Sequence, residues 1–323
     1  MRIHEPIDPA TLQRLEARLG KVHAHQRLGV EQDHASQVFG FGRNFFHLEN
    51  WYSIHGVIRG CLRLVGLYRK GQNNCCNIKR IYQRISLDKL PDAFDGYRIL
   101  HLSDLHVDMY PPALQALTKA VHDLEYDLCV MTGDYRARTF GDIESSLKGM
   151  RTLRQHLKGD VYAVLGNHDS IRMVPELEDM GFKLLLNENT IIEKAGQKLM
   201  LAGIDDAHYF RVDNIEKAAN GLDTQLTNIL LSHTPAVFKQ AAHAGFDVFF
   251  CGHTHGGQIC LPGGIPITLD SDCPRSVGKG AWQYHQMQGY TSVGAGSSVV
   301  NVRLNCFPEI TLHHLRKARP TRD

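Results

Sequence analysis

From Asp92 onward the chain alternates short apolar runs with segments whose apolar residues recur every three or four positions. The runs YRILHLSD (97–104), DLCVMTGD (127–134), VYAVLGNHD (161–169), KLMLAGID (198–205), TNILLSH (227–233) and FDVFFCGHTH (246–255) have the length and composition of buried strands. Between them PPALQALTKAVHDLE (111–125) predicts a helix, with prolines at its start and Leu114, Leu117 and Val121 at helical spacing. Further helices are predicted at 142–157, near 174–180 and at about 236–244. The closing VNVRLNCFPEITLHHL reads as two strands broken at Phe307-Pro308, because proline cannot donate to a ladder. Strands alternating with helices in this way predict an α/β fold.

The first 90 residues have another character. DPATLQRLEARLGKV predicts a helix capped by Asp8, with Pro9 at its first position and Leu12, Leu15 and Leu19 on one side. ENWYSIHGVIRGCLRLVGLYRKG (49–71) predicts a second. It puts Trp51, Ile54, Val57, Ile58, Cys61, Val65 and Tyr68 on one face, Arg59, Arg63 and Lys70 toward the other, and Gly71 at C′. The expected organisation is an amphipathic helical extension (1–90), a main domain (91–318) and a short polar tail (319–323). The 49–71 helix suits two settings equally, packing on the main domain or peripheral contact with an anionic membrane.

Strand after strand runs into a polar cluster at its C-terminal end: SDLH, TGDY, GNHD, SHTP, GHTH. That edge of an open α/β sheet is where ligands bind, so clusters spread along the chain can meet in space. Asp104 and His106 lie two apart, as do His253 and His255, and in extended chain such pairs point to one side. With Asp134, Asn167, His168 and His233 they supply two carboxylates, an amide and several imidazoles but no thiolate, a set suited to Mn²⁺, Fe or Zn²⁺. Each cluster alone also reads as ordinary polar residues at a strand end. Their joint occurrence is what points to a metal site.

The ordered set D-x-H, G-D, G-N-H-D, H and G-H-T-H resembles the calcineurin-like metallophosphoesterase superfamily over roughly 95–315. GHTHGGQICLP, GAGSS and VRLNCFPEITLHHL are similar to a bacterial branch that includes membrane-associated phosphodiesterases and a UDP-2,3-diacylglucosamine pyrophosphatase. The resemblance implies a four-layer αββα sandwich of two mixed β-sheets. It also implies two divalent metal ions (Mn²⁺, Fe²⁺/Fe³⁺ or Zn²⁺), one on Asp104, His106 and His255 and one on Asn167, His233 and His253, with Asp134 bridging. His168 would face the substrate as proton donor or transition-state partner, with hydrolysis by metal-activated hydroxide. Asp169 is expected to orient His168 through Nδ1, or else to serve as a turn residue; Arg136 and Arg138 are expected phosphate clamps, or a solvated loop. GDYRART and GNHD differ from the GDxxDRG and GNHE of protein phosphatases, which argues against a phosphoprotein substrate.

Composition narrows this only at the margins. A net charge of +2 and no basic stripe with interleaved aromatics give no reason to expect nucleic acid. Eight cysteines without a C-x-x-C pair read as reduced thiols of the cytoplasm, and no signal peptide or membrane-length apolar run is seen. The expected location is cytoplasmic, or peripheral on the inner face of the membrane. The expected substrate is a phosphorylated small molecule or a lipid-linked pyrophosphate such as UDP-2,3-diacylglucosamine. The alternatives are soluble or cyclic nucleotides and a non-catalytic scaffold, though a scaffold would not be expected to keep every ligand position.

Overall fold

In the computed structural model, which describes residues 7–39, 52–269 and 271–318, the predicted alternation resolves into two six-stranded sheets. Four helices come first: α1 (Pro9–Leu19), α2 (Lys21–Phe39), α3 (Tyr52–Leu64) and α4 (Tyr68–Cys75). Then β1 (Lys79–Leu87), β2 (Arg98–Leu102), α5 (Pro111–His122), β3 (Leu128–Met131), α6 (Glu144–Arg154), β4 (Val161–Ala163), α7 (Val174–Asp179) and β5 (Phe182–Leu184) build most of the first sheet and its cover. The second sheet follows with β6 (Glu188–Lys194), β7 (Gln197–Gly203), α8 (Ile215–Ala218), β8 (Asn228–Leu231), α9 (Phe238–Ala244) and β9 (Val248–Cys251). After a two-stranded ribbon, β10 (Cys260–Leu261) and β11 (Ile265–Pro266), come β12 (Gly280–Tyr284) and β13 (Met287–Thr291); β14 (Glu309–Lys317) then returns to the first sheet.

The strand orders are β1-β14-β2-β3-β4-β5 and β12-β13-β9-β8-β7-β6. Both are mixed: β14 runs antiparallel to β2 and parallel to β1, and β6–β7 and β12–β13 are antiparallel. Ile99, Val130 and Val164 of the first sheet share a buried cluster with Leu201, Ile229 and Phe250 of the second. On the first sheet's outer face Leu15, Leu28, Leu117, Met150 and Leu177 cover Leu102 and Met131; on the second's, Ala218 and Phe238 cover Phe249 and Trp282. The result is the expected helix–sheet–sheet–helix layering. Apolar runs without alternation form β3, β8 and β9 because these strands are buried on both faces. Each large side chain so placed contributes about 1.5–3 kcal/mol.

The N-terminal region departs from its sequence reading. α2 is absent from that reading because its apolar residues are scattered around the helix, yet Ala24 and Leu28 join the main core beside α1. The 49–71 segment is two helices: α3 stops at Leu64, Gly66 takes φ +72°, and α4 begins at Tyr68. Gly71 therefore sits inside α4, where a Cβ would press on Val302 at 2.8 Å; Trp51 lies outside the described residues. Ile58 packs with Leu62 toward Val300 and Val302, while Val57, Leu64 and Val65 stay exposed, so α3 is apolar on two sides. Residues 79–87, grouped by sequence with the extension, form the edge strand β1, paired with β14 along its length. Its ladder position is masked by polar residues, for only Ile85 and Leu87 are buried. The closing segment makes one strand after Pro308, preceded by a single bridge from Leu304 to Ile259. Among the described residues no helix is long and apolar enough to cross a membrane.

Candidate metal centre

Every polar cluster lies just past the C-terminal end of a strand: Asp104 and His106 after β2, Asp134 after β3, Asn167 and His168 after β4, His233 after β8, His253 and His255 after β9. The chain does not bring the paired residues together by extended alternation. Asp104 (φ 49°), His106 (41°), Asp134 (58°), His253 (72°) and His255 (50°) all adopt left-handed conformations. Such residues cost on the order of 1–3 kcal/mol each and persist only where their surroundings over-determine them. Here Asp104 accepts from Ser103 Oγ at 2.6 Å and from the His253 N–H at 3.0 Å, and the His106 N–H donates to the Asp134 carbonyl at 3.0 Å. Two glycines leave the necessary room: a Cβ on Gly166 would strike the Asp134 carboxylate, and one on Gly252 would strike the side chains of Ser103 and Asp104.

Two buried groups result, Asp104–His106–His255 and Asp134–His233–His253, each with ligand atoms within 4.8 Å of one another. His106 Nδ1 donates to the Arg136 carbonyl at 2.8 Å, which leaves its Nε2 as a lone pair 3.2 Å from His255 Nε2. His233 Nδ1 likewise donates to the Thr132 carbonyl at 2.7 Å. Its Nε2 then meets Asn167 Oδ1 at 2.9 Å, His253 Nδ1 at 3.2 Å and Asp134 Oδ2 at 3.3 Å. Asp134 Oδ2 also lies 3.9 Å from both His106 Nε2 and His168 Nε2, between the two groups. Two carboxylates, an amide oxygen and several imidazole nitrogens converging on one another form a ligand set that fits cations.

The electrostatics agree. Burial pushes the Asp104 carboxyl up, with Asp134 adding to the effect. Burial lowers His106, and lowers His253 and His255 further, which keeps these imidazoles neutral as ligation requires. For His233 burial acts in the same sense but is outweighed by Asp134, so its pKa rises to about 10; the site draws a positive charge to that spot.

Two expected roles change in the structure. Asp169 does not touch the His168 ring. Its carboxylate accepts from the N–H groups of Asp134 (2.7 Å), Tyr135 (2.8 Å) and Gly166 (2.9 Å), and so locks the Asp134 and Asn167 loops together. His168 Nδ1 instead faces Thr139 Oγ1 at 3.3 Å. Arg136 is no phosphate clamp: its buried guanidinium donates to the carbonyls of His168, Thr139 and Gly141. Arg138 is exposed, on a groove of about 470 Å³ that Arg59 and Tyr68 also line. Asp169→Ala is expected to lower stability by at least about 3 kcal/mol, since three buried donors lose their acceptor at about 1–3 kcal/mol each. The urea midpoint measures this, and a loss under about 1 kcal/mol would contradict the locking role.

Other contributors have no role assigned from the sequence. Ser103 belongs to a buried chain, with Thr132 Oγ1 donating to Ser103 Oγ at 2.7 Å and His101 Nε2 2.9 Å from Thr132 Oγ1. Arg303 is fully buried behind the second histidine pair, 3.1 Å from His255 Nδ1, and donates to the carbonyls of Val293 and Gly296. His208 packs on His253 with ring centroids 4.2 Å apart. The Gln258 side chain ties down Ser298 and Val300, which gives the GGQ turn a structural task.

Residues 97–257 match the calcineurin-like phosphoesterase family, a span containing all seven candidate ligands. An uncharacterized metallophosphoesterase of Bacillus subtilis, YkoQ, is 31% identical over 76% of this chain and 93% of its own length. The chain belongs to the calcineurin-like metallophosphoesterase family. Among relatives of this metallophosphoesterase, the Escherichia coli phosphodiesterase YaeI is 28% identical over 68% of this chain and 82% of its own. The Chlamydia muridarum UDP-2,3-diacylglucosamine pyrophosphatase LpxG is 26% identical over 54% of this chain and 69% of its own. Members of this family normally bind two divalent metals, and the two groups meeting at Asp134 are candidate ligands for such a pair.

Proposed function

We propose that this chain hydrolyses a phosphodiester or pyrophosphate, and that its substrate is carried on a lipid. The observation that carries the hydrolase reading is the convergence of two buried carboxylate–imidazole groups that meet at Asp134, whose Oδ2 lies 3.9 Å from both His106 Nε2 and His168 Nε2. Asp104, His106 and His255 would hold one divalent cation, Asn167, His233 and His253 a second, and Asp134 both. Bound there, two such ions supply charge for the phosphoryl oxygens and lower the pKa of a water toward neutrality. His168 sits in neither group and is positioned to give a proton to the leaving oxygen. Its backbone N–H donates to Asp134 Oδ1 at 2.9 Å, so the same residue steadies the shared carboxylate.

The lipid reading is supported by α3 and the start of α4. Val57, Leu64 and Val65 are 62%, 87% and 62% exposed, and Arg59, Arg63, Arg69 and Lys70 stand among them. Apolar residues interleaved with cations suit an anionic bilayer. Arg59 of α3 also lines a groove with Arg138 and with Asp108, which follows His106 by two positions in the chain; this supports a docking face near the loops of the centre. The similarity to a UDP-2,3-diacylglucosamine pyrophosphatase points the same way.

A metal-reconstituted substrate panel, run with and without vesicles of anionic phospholipid, tests both parts. It contains a bis-aryl phosphodiester, cyclic nucleotides and a lipid-linked UDP sugar. Expected are hydrolysis of the bis-aryl ester and vesicle-stimulated cleavage of the UDP sugar. No turnover of any member would reject the hydrolase reading. Cyclic-nucleotide cleavage indifferent to vesicles would replace the lipid substrate with a soluble one.

A further inference from the structure

The loop that carries Asn167 and His168 is held in part by helix α2, which lies outside the family-matched span. Arg27 of α2 has no exposed surface, and its Nη2 donates to the Asp169 carbonyl at 2.9 Å. One turn further, Glu31 accepts from Ser170 Oγ at 2.7 Å and from the Ile171 N–H at 2.8 Å. Arg136 holds the His168 carbonyl, so each residue from 168 to 171 is tied from outside the loop, three of the four by α2. The same α2 arginine reaches a second loop on its other flank. Its guanidinium carbon stands 3.6 Å from the centroid of Phe210, and its Nε lies 3.5 Å from oxygens of both Asp205 and Glu31. Asp205 is also bound by His23 Nε2 at 2.9 Å. The 205–210 segment carries His208, which packs on His253.

A fully buried arginine is poorly explained by stability alone, because apolar side chains of similar volume often stabilise such a position as well or better. What an apolar chain cannot do is fix the peptide between Asp169 and Ser170, and with it the direction of the preceding imidazole. We propose that Arg27 and Glu31 are positioning residues that set the 167–171 loop so that Asn167 and His168 meet the centre. Helix α2 is then part of the catalytic apparatus, not an appendage. This rests on the role given above to His168.

The test uses the full chain as wild type, Arg27→Met, Arg27→Lys and Glu31→Ala, with and without added Mn²⁺. Three properties are measured: amide hydrogen exchange by peptide, kcat and KM on bis(4-nitrophenyl) phosphate, and the thermal midpoint. In Arg27→Met and Glu31→Ala, exchange over 166–171 should rise about tenfold or more while β3 and β9 stay protected. Their kcat should fall about 10–100-fold with KM moving less than about threefold. Arg27→Lys, whose ammonium still donates to the Asp169 carbonyl, should recover most of the lost kcat. Unchanged loop exchange with unchanged kcat in Arg27→Met would overturn the proposal. So would exchange rising across the whole domain with a kcat loss that lysine does not restore, since that marks bulk packing. Should the wild type turn over no phosphodiester, the hydrolase reading fails on its own, and loop exchange still decides whether α2 sets the loop.

Discussion

Replacing His168 with alanine is expected to lower kcat by about 10²–10⁴ while both metals stay bound, the range typical of losing a general acid. The expectation follows from the separation of His168's two halves. Its N–H, which alanine keeps, donates to Asp134 Oδ1; its ring belongs to neither ligand group and is edge-on to His106 with centroids 5.2 Å apart. Removing the ring should leave the carboxylate and both ligand sets in place. Elemental analysis beside steady-state kinetics checks the pair of outcomes. Full activity in the variant would reject the proton-donor role, and a parallel fall in metal content would make His168 a ligand.

Asp134→Asn is expected to act in the opposite order, on metal first and rate in consequence. Two dications held in adjoining sites would repel four times as strongly as unit charges at the same separation. The shared negative charge offsets that repulsion, and asparagine keeps the shape of the side chain but not the charge. The amide so introduced would also face His233 without the anion that draws positive charge there. Content per chain should drop from about two ions toward one or none after dialysis, with activity falling by at least about a hundredfold. Unchanged stoichiometry would show that Asp134 does not serve both sites.

The seven donors are legible in the sequence because buried strands are apolar throughout, so a polar cluster at the end of each stands out sharply. Order along the chain does the rest. What is not legible is how the side chains converge, since left-handed φ values at Asp104, His106, Asp134, His253 and His255 leave no mark on residue type. Arg136 misleads for a related reason: guanidinium beside a carboxylate looks the same in sequence whether it faces substrate or, as here, three carbonyls. Asp169 is similar, a carboxylate next to His168 whose partners are amides of another loop. Helix α2 escapes because its contribution to the core is two small contacts, Ala24 and Leu28, around a charged pair that periodicity scores as surface. The strand β1 escapes because an edge strand shows little of the apolar signal that betrays its inner neighbours.

The seven donors are divided between the sheets. Asp104, His106, Asp134 and Asn167 leave the first, and His233, His253 and His255 leave the second. The apolar seam between the sheets is non-directional and would tolerate a small slide of one against the other, whereas coordination tolerates only tenths of an ångström. Once loaded, the centre therefore acts as a rivet through the two halves, and its integrity gauges their alignment. Residues deep in the seam such as Val130 and Ile229, far from any substrate, thereby become custodians of the chemistry: a change in their bulk that shifts one sheet would be felt first as a lost ion.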